Sequence, residues 1–219
     1  MAAGIDPTRL VGERAKGLGM FFVPSYRMND DHFIFDPLDY PLTGKFWMDN
    51  HEKLKIGESP QPADAHYGNL FDFSHEEVRR FRLDVIFEVI DRYEDILDGI
   101  ELDFNRFQMI FPKDKGPERA HLVTEMLAQV RERLDEAEKR QGREMYVFVR
   151  VPPSLADCHR MGYRIEDWME PRVADVILPS QLMTLSHDMP IGEFVKICGP
   201  AGAKVYPSLY PRTSYMWPF

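Results

Sequence analysis

The chain has only two cysteines among its 219 residues, Cys158 and Cys198, far apart and without metal or redox spacing. This excludes a disulfide framework and leaves two free, partly buried thiols as the reading. Basic residues are outnumbered, and the net charge of -9 gives none of the positive surface that phosphate binding needs, so nucleic acid is not an expected partner. No apolar run approaches the length of a transmembrane helix, so no membrane partner is expected either. The first ten residues have neither a basic region nor an apolar stretch, and no signal peptide is visible. A soluble chain is expected, and its location is open: a secreted or periplasmic one follows if an N-terminal part precedes these residues. No Gly-rich loop follows any strand pattern, which counts against a nucleotide-binding open sheet. No Gly-x-Ser-x-Gly elbow occurs, and no lone Cys stands by a plausible His, so acyl transfer has no support.

What is present is the composition of an ordinary globular domain, 44% hydrophobic and 29% charged, long enough for a single mixed-class domain with an ample core. Seventeen prolines and 12% aromatics point to long ordered loops. Asp6-Pro7 opens a helical pattern, with Asp6 as N-cap, Leu10, Val11 and Ala15 as the apolar side and Gly17 and Gly19 as the stop. Residues 20–23 follow as a buried strand. After Pro24 comes a polar cluster, Ser25-Tyr26-Arg27-Met28-Asn29-Asp30-Asp31-His32. A long irregular region, about 25–73, then carries Trp47, His51 and His66, and its aromatic content suggests a binding loop over a barrel mouth.

Ser74-His75-Glu76-Glu77 reads as a capping box. Val78, Phe81, Val85, Ile86, Val89, Ile90 and Tyr93 continue it as a stripe at helical spacing. Pro117 starts a second long helix that Gly142 ends. Strand patterns at 97–103, 145–151, 173–178 and 204–206 alternate with these helices and with shorter ones at 165–169 and 191–197. Five strands alternating with helices mean a parallel α/β fold with right-handed crossovers. Every strand end carries a polar or aromatic group: Arg27, Asp103, Arg150, Ser180, Tyr206. That recurrence favours a (β/α)8 TIM-type barrel over an open sheet. A full barrel takes about 250 residues, so the barrel is expected to be incomplete, a single partial domain over 1–219.

The stretch that organises the rest is Leu97-Asp98-Gly99-Ile100-Glu101-Leu102-Asp103-Phe104-Asn105-Arg106. Ile100 and Leu102 alternate with Glu101 and Asp103, so by the two-residue period of a strand both acids share one face. In a parallel barrel that face is the interior, and a carboxylate at the strand's C-terminal end stands where this architecture places chemistry. With Phe71-Asp72-Phe73, Glu77-Val78-Arg79, Arg92-Tyr93 and the segment 25–30, this stretch resembles the glycosyl-hydrolase-like family 10 group of barrel glycosidases. The likeness spans nearly the whole chain, and it implies that the five strands are the third to the seventh of the barrel. A weaker likeness to family-18 chitinases rests on Asp98, Gly99 and Asp103. There Glu101 replaces an inner aspartate and Asn105 stands where that family has its catalytic glutamate, so the chitinase mechanism is not implied.

Glycoside hydrolysis usually needs two carboxyl groups flanking the scissile bond. Asp103 is the first candidate, as nucleophile or transition-state stabiliser. Glu101 sits one layer deeper, where an acid also serves as the partner of an arginine such as Arg150 or Arg27. Asp30 is the best second acid, ahead of Asp31 and Asp157, although Asn-Asp-Asp equally favours a turn. Arg27, Asn29, His32, Trp47, Arg106, Arg150 and Tyr206 are the candidate substrate-binding residues: arginines to clamp an anionic sugar or to bridge the acids, and aromatics to stack on sugar faces. His32 with Asp30 lacks a convincing third metal ligand, and no metal or cofactor is expected. The expected partner is a carbohydrate; nothing indicates the oligomeric state. The alternative to a hydrolase is a non-catalytic carbohydrate-binding barrel or an inactive barrel fragment.

Overall fold

The computed structural model describes residues 4–30, 44–57, 68–182 and 187–209. Five strands form one sheet: β1 (Ser25–Arg27), β2 (Gly99–Asp103), β3 (Tyr146–Val151), β4 (Val176–Pro179) and β5 (Lys204–Val205). Their spatial order is β1-β2-β3-β4-β5, and every neighbouring pair is parallel. The helices are α1 (Pro7–Gly17), α2 (Lys45–Leu54), α3 (Glu76–Tyr93), α4 (Gly116–Gln141), α5 (Leu155–Met161), α6 (Glu166–Met169) and α7 (Ile191–Cys198). Each crossover moves one strand along in the same direction, and crossovers of one hand then put all their helices on one face of the sheet. An open doubly wound sheet reverses direction part-way and has helices on both faces. The five strands therefore form an arc of a (β/α) barrel, as the alternation predicts.

Burial follows this one-sided cover. Ile100, Leu102, Val147, Val149, Val151 and Ile177 face the helices and are buried. Their alternate neighbours Tyr146, Phe148, Arg150 and Leu178 are only half-buried, on the face that a barrel turns inward. Gly99 is required by close packing: a Cβ there would lie 2.2 Å from the Tyr146 carbonyl oxygen on β3.

Several local expectations are met. Asp6 caps α1, its Oδ1 accepting from Arg9 N–H at 3.1 Å. Gly142 closes α4 in the left-handed conformation, φ 67°, and its N–H donates to the Glu138 carbonyl. Others need correction. Residues 20–23 are not a strand; Met20 and Phe21 are exposed, and β1 begins at Ser25. Phe22 still joins β2, its carbonyl accepting from Asp98 N–H at 2.9 Å. Ser74 does not cap α3. Its N–H and hydroxyl are both taken by Asp72 Oδ1, Arg119 also donates to the hydroxyl, and His75 occupies the cap position without a side-chain bond. Region 25–73 is not wholly irregular, because α2 lies within it. Trp47, His51 and Leu54, at i, i+4 and i+7, are the buried face of that helix. The sequence reading also passed over α5, whose N-cap Ser154 accepts from Asp157 N–H at 3.1 Å.

Candidate active site at the ends of the strands

The register aligns one row of side chains near the C-terminal ends of the strands. Arg27 pairs with Asp103, Asp103 with Arg150, and Arg150 with Leu178. Tyr206 continues the row just past β5, its N–H bonding the Ile177 carbonyl at 3.0 Å. One layer deeper, Ser25, Glu101, Phe148, Val176 and Lys204 align in the same way. In-register neighbours in parallel strands share a face, so Arg27, Glu101, Asp103, Arg150 and Tyr206 lie on the inner side together.

Arg150 connects this row. Its Nε donates to Glu101 Oε1 at 2.7 Å, and its Nη1 donates to Ser208 Oγ at 2.7 Å and Ser180 Oγ at 3.3 Å. Ser25 Oγ donates to the same Glu101 oxygen at 3.1 Å. One guanidinium thus links groups from β2, from the chain just past β4 and from the chain just past β5. Burial works against the charge of Arg150, but the bond to Glu101 together with the negative charges of Glu101 and Asp103 outweighs it, holding its pKa above the ordinary arginine value. Glu101 is thus bonded to Arg150, one of the two arginines that the sequence offers it.

Asp103 is placed differently. Its Oδ1 accepts the backbone N–H groups of Asn105 at 2.9 Å and Arg106 at 3.1 Å, an Asx-type turn that bends the chain as it leaves β2. Arg150 Nε is 3.9 Å from that oxygen, beyond hydrogen-bond range. Among the described residues no group bonds Oδ2. Burial pushes the carboxyl above the ordinary aspartate range, partly countered by the Asn105 N–H and the charge of Arg150. Asp103 therefore combines a fixed orientation, an unbonded oxygen and a raised pKa.

The other candidates divide. Arg27 Nη1 donates to Asp30 Oδ2 at 2.9 Å, so these two form a pair at the end of β1, next to Asp103. Arg106 lies over the Phe107 ring, 4.7 Å from its centroid. Tyr206 is exposed. Asn29 is buried, and its amide clamps two loops, donating to the Phe71 and Met109 carbonyls at 2.9 Å and accepting from Phe71 N–H. Trp47 is buried and stacked on His51, with ring centroids 4.3 Å apart, so the ring expected to stack on sugar packs its own helix instead. His32 and Asp31 lie outside the described residues. Asp157 is used at the start of α5 and pairs with Arg160 at 2.7 Å. No group of three or more His, Cys, Asp or Glu able to hold a metal ion occurs among the described residues. No described helix is long and apolar enough to cross a membrane.

At the opposite, N-terminal rim two aspartates are each held by several partners. Asp175 accepts from Arg131 at 3.0 Å, Arg172 at 3.1 Å and Val147 N–H at 2.9 Å. Asp98 accepts from Lys16, Phe22 N–H and Arg143. Such bonding holds strands to helices, the stabilising role of the bottom face in this architecture.

No protein-family model matches the chain, and no curated protein matches its sequence. Among solved structures it is similar to a glycoside hydrolase family 18 N-acetylglucosaminidase from Paenibacillus barengoltzii, with 18% identity over 62% of this chain and a TM-score of 0.41. The chain spans 45% of that protein's length. A sugar phosphate isomerase/epimerase from Parabacteroides distasonis is similar at 12% identity over 96% of this chain and 78% of that one, with a TM-score of 0.42. Likeness at this level assigns no activity, and neither of the two is named as a member of the glycosyl-hydrolase-like family 10 group.

Proposed function

We propose that this chain carries part of the catalytic face of a (β/α) barrel glycoside hydrolase, its five strands being the third to the seventh, and that Asp103 is the working carboxyl group. The observation that carries this reading is the contrast between Glu101 and Asp103. Two acids share one face of one strand, and Arg150 engages the deeper one while the outer keeps an unbonded oxygen and a raised pKa. A raised carboxyl pKa suits proton donation to the leaving glycosidic oxygen, so the general-acid role now fits Asp103 better than that of nucleophile. Asp30, ion-paired to Arg27 on the adjacent strand end, is the proposed second carboxylate, acting as base or nucleophile. Arg106, half-buried where the chain leaves β2, and Tyr206, exposed just past β5, would border the sugar.

The test is hydrolysis of a panel of aryl glycosides and oligosaccharides by the purified protein and by Asp103→Asn. The reading expects turnover of at least one substrate, reduced by roughly 10²–10⁴-fold in the variant, the usual worth of a positioned proton donor. Sugar binding without turnover would instead mark a carbohydrate-binding barrel, and turnover unaffected by Asp103→Asn would remove Asp103 from the chemistry.

A further inference from the structure

The turn that orients Asp103 is itself held from a second loop. Asn105 is buried. Besides giving its N–H to Asp103 Oδ1, it accepts from Gln108 Nε2 on its side-chain oxygen at 2.7 Å. The Gln108 carbonyl in turn accepts from the Tyr163 hydroxyl at 2.7 Å. Tyr163 comes directly after α5 and is fully buried, its ring centroid 5.1 Å from that of Phe104, the residue between Asp103 and Asn105. Gly162 delivers it there: the chain turns at φ 92°, and a Cβ at that position would lie 2.8 Å from the Gly116 carbonyl oxygen. A buried hydroxyl is costly unless it is bonded, and this one is spent on the loop that leaves β2. Burial pushes the phenol well above the ordinary tyrosine value, so it remains a donor at any pH where the carboxyl titrates.

Past Phe104, whose N–H bonds the Arg150 carbonyl at 3.0 Å, side chains take over from the strand ladder. The direction of the Asn105 N–H then depends on what holds Asn105, and Gln108 holds it. We propose that Tyr163 is a positioning residue for Asp103, acting through Gln108 and Asn105 to keep the N–H groups on Oδ1 and so leave Oδ2 for the substrate, an assignment that rests on the reading of Asp103 as the working carboxyl. The charged groups around this carboxyl are Glu101 beneath it on β2, Arg150 on β3, Arg27 with Asp30 at the end of β1, and Arg106 in the turn itself. The Tyr163 hydroxyl bonds Gln108 and not the carboxyl. Its removal therefore changes none of these charges, and any change in the titration of Asp103 reports the two N–H bonds. Those bonds favour the charged form, so loosening them raises the pKa further.

The test is an NMR titration of the Asp103 carboxyl carbon, assigned by the signal missing in Asp103→Asn, in the parent, Tyr163→Phe and Gln108→Leu. Tyr163→Phe removes only the hydroxyl. Gln108→Leu removes the donor to Asn105 and keeps the Tyr163 bond, which goes to the main chain. Both are expected to raise the carboxyl pKa by about half a unit or more and to move the alkaline limb of kcat/KM up with it. They are also expected to lower kcat by about tenfold to a hundredfold with KM little changed. Leu134→Ala, a cavity in the core face of α4, shows the effect of lost stability alone and is expected to lower the melting temperature without moving the carboxyl pKa. Should Tyr163→Phe fail to fold, Gln108→Leu at its half-buried position carries the same test. Variants that lose melting temperature but titrate like the parent would overturn the proposal, leaving Tyr163 a packing residue. The titration needs no substrate, so the two failures are separable: a parent without glycoside turnover contradicts the role of Asp103, and an unmoved pKa contradicts its positioning by Tyr163.

Discussion

Glu101 and Asp103 differ by one methylene and two positions in the chain, and their surroundings give them separate work. Glu101 and Arg150 neutralise each other at 2.7 Å. Arg150→Met would leave Glu101 unpaired in a site where its side chain is only 12% exposed, and breaking such a pair from one side costs about 3 kcal/mol. Denaturant unfolding checks this, and pairing the change with Glu101→Met should recover much of the loss. Asp103 behaves oppositely, because its pKa is higher in the fold than in the unfolded chain. The folded state then binds more protons across the window from an ordinary aspartate pKa, about 3.9, up to the raised value. Stability falls as pH rises through that window, and the full cost is present above it. Asn at the same position can still accept the Asn105 and Arg106 N–H groups but carries no charge. Asp103→Asn is therefore expected to gain stability relative to the parent between about pH 4 and neutrality, even as it loses activity. Thermal unfolding of both proteins at the two pH values tests this, and a variant that loses ground as pH rises contradicts it.

Among the elements, β2 was the most legible in the sequence, and α2 and α5 the least. The alternation of Ile100 and Leu102 with two acids gave the strand, its inner face and its terminal carboxylate, because a period of two is short and five residues suffice to show it. Gly99 adds a constraint that no pattern reveals: its Cβ would meet the backbone of β3, which cannot yield as a side chain could. Gly99→Ala should cost about 3 kcal/mol or more, the upper range for overpacking, and soluble yield with unfolding midpoint would show it. Helix α2 was hidden because the i, i+4, i+7 series of Trp47, His51 and Leu54 includes a histidine, which does not read as apolar until it is seen stacked on the tryptophan. The Ser74 capping box failed because Asp72, two residues earlier, captures the serine first. Helix α1 was identified correctly, but Leu10 and Val11 are exposed, because Arg9 and Lys16 form ion pairs with Asp95 and Asp98, some 80 residues or more away in sequence. No local pattern reports contacts of that separation.

At the scale of the whole molecule, five sequential parallel strands covered on one face form an arc, with paired charges along one rim and the candidate site along the other. The alternation of elements made this architecture readable from the chain. The site was readable only in part: the strand position of Asp103 was evident, but its lack of a hydrogen bond from Arg150, 3.9 Å away, depends on Glu101 taking that arginine, a choice between two acids that spacing leaves open. Asn29 and Trp47 look like ligand-binding residues in sequence and are used by the fold, since a polar or aromatic side chain serves a loop as readily as a sugar. The central claim is that Asp103 donates the proton in glycoside hydrolysis, and the most direct test is the pH dependence of kcat/KM for the purified protein on its best substrate. The account predicts a bell-shaped profile whose alkaline limb is set by a carboxyl group above the ordinary aspartate range. It also predicts that this limb is absent from the residual activity of Asp103→Asn. A profile unchanged in Asp103→Asn, or no turnover on any glycoside by a folded protein that binds sugar, would contradict it.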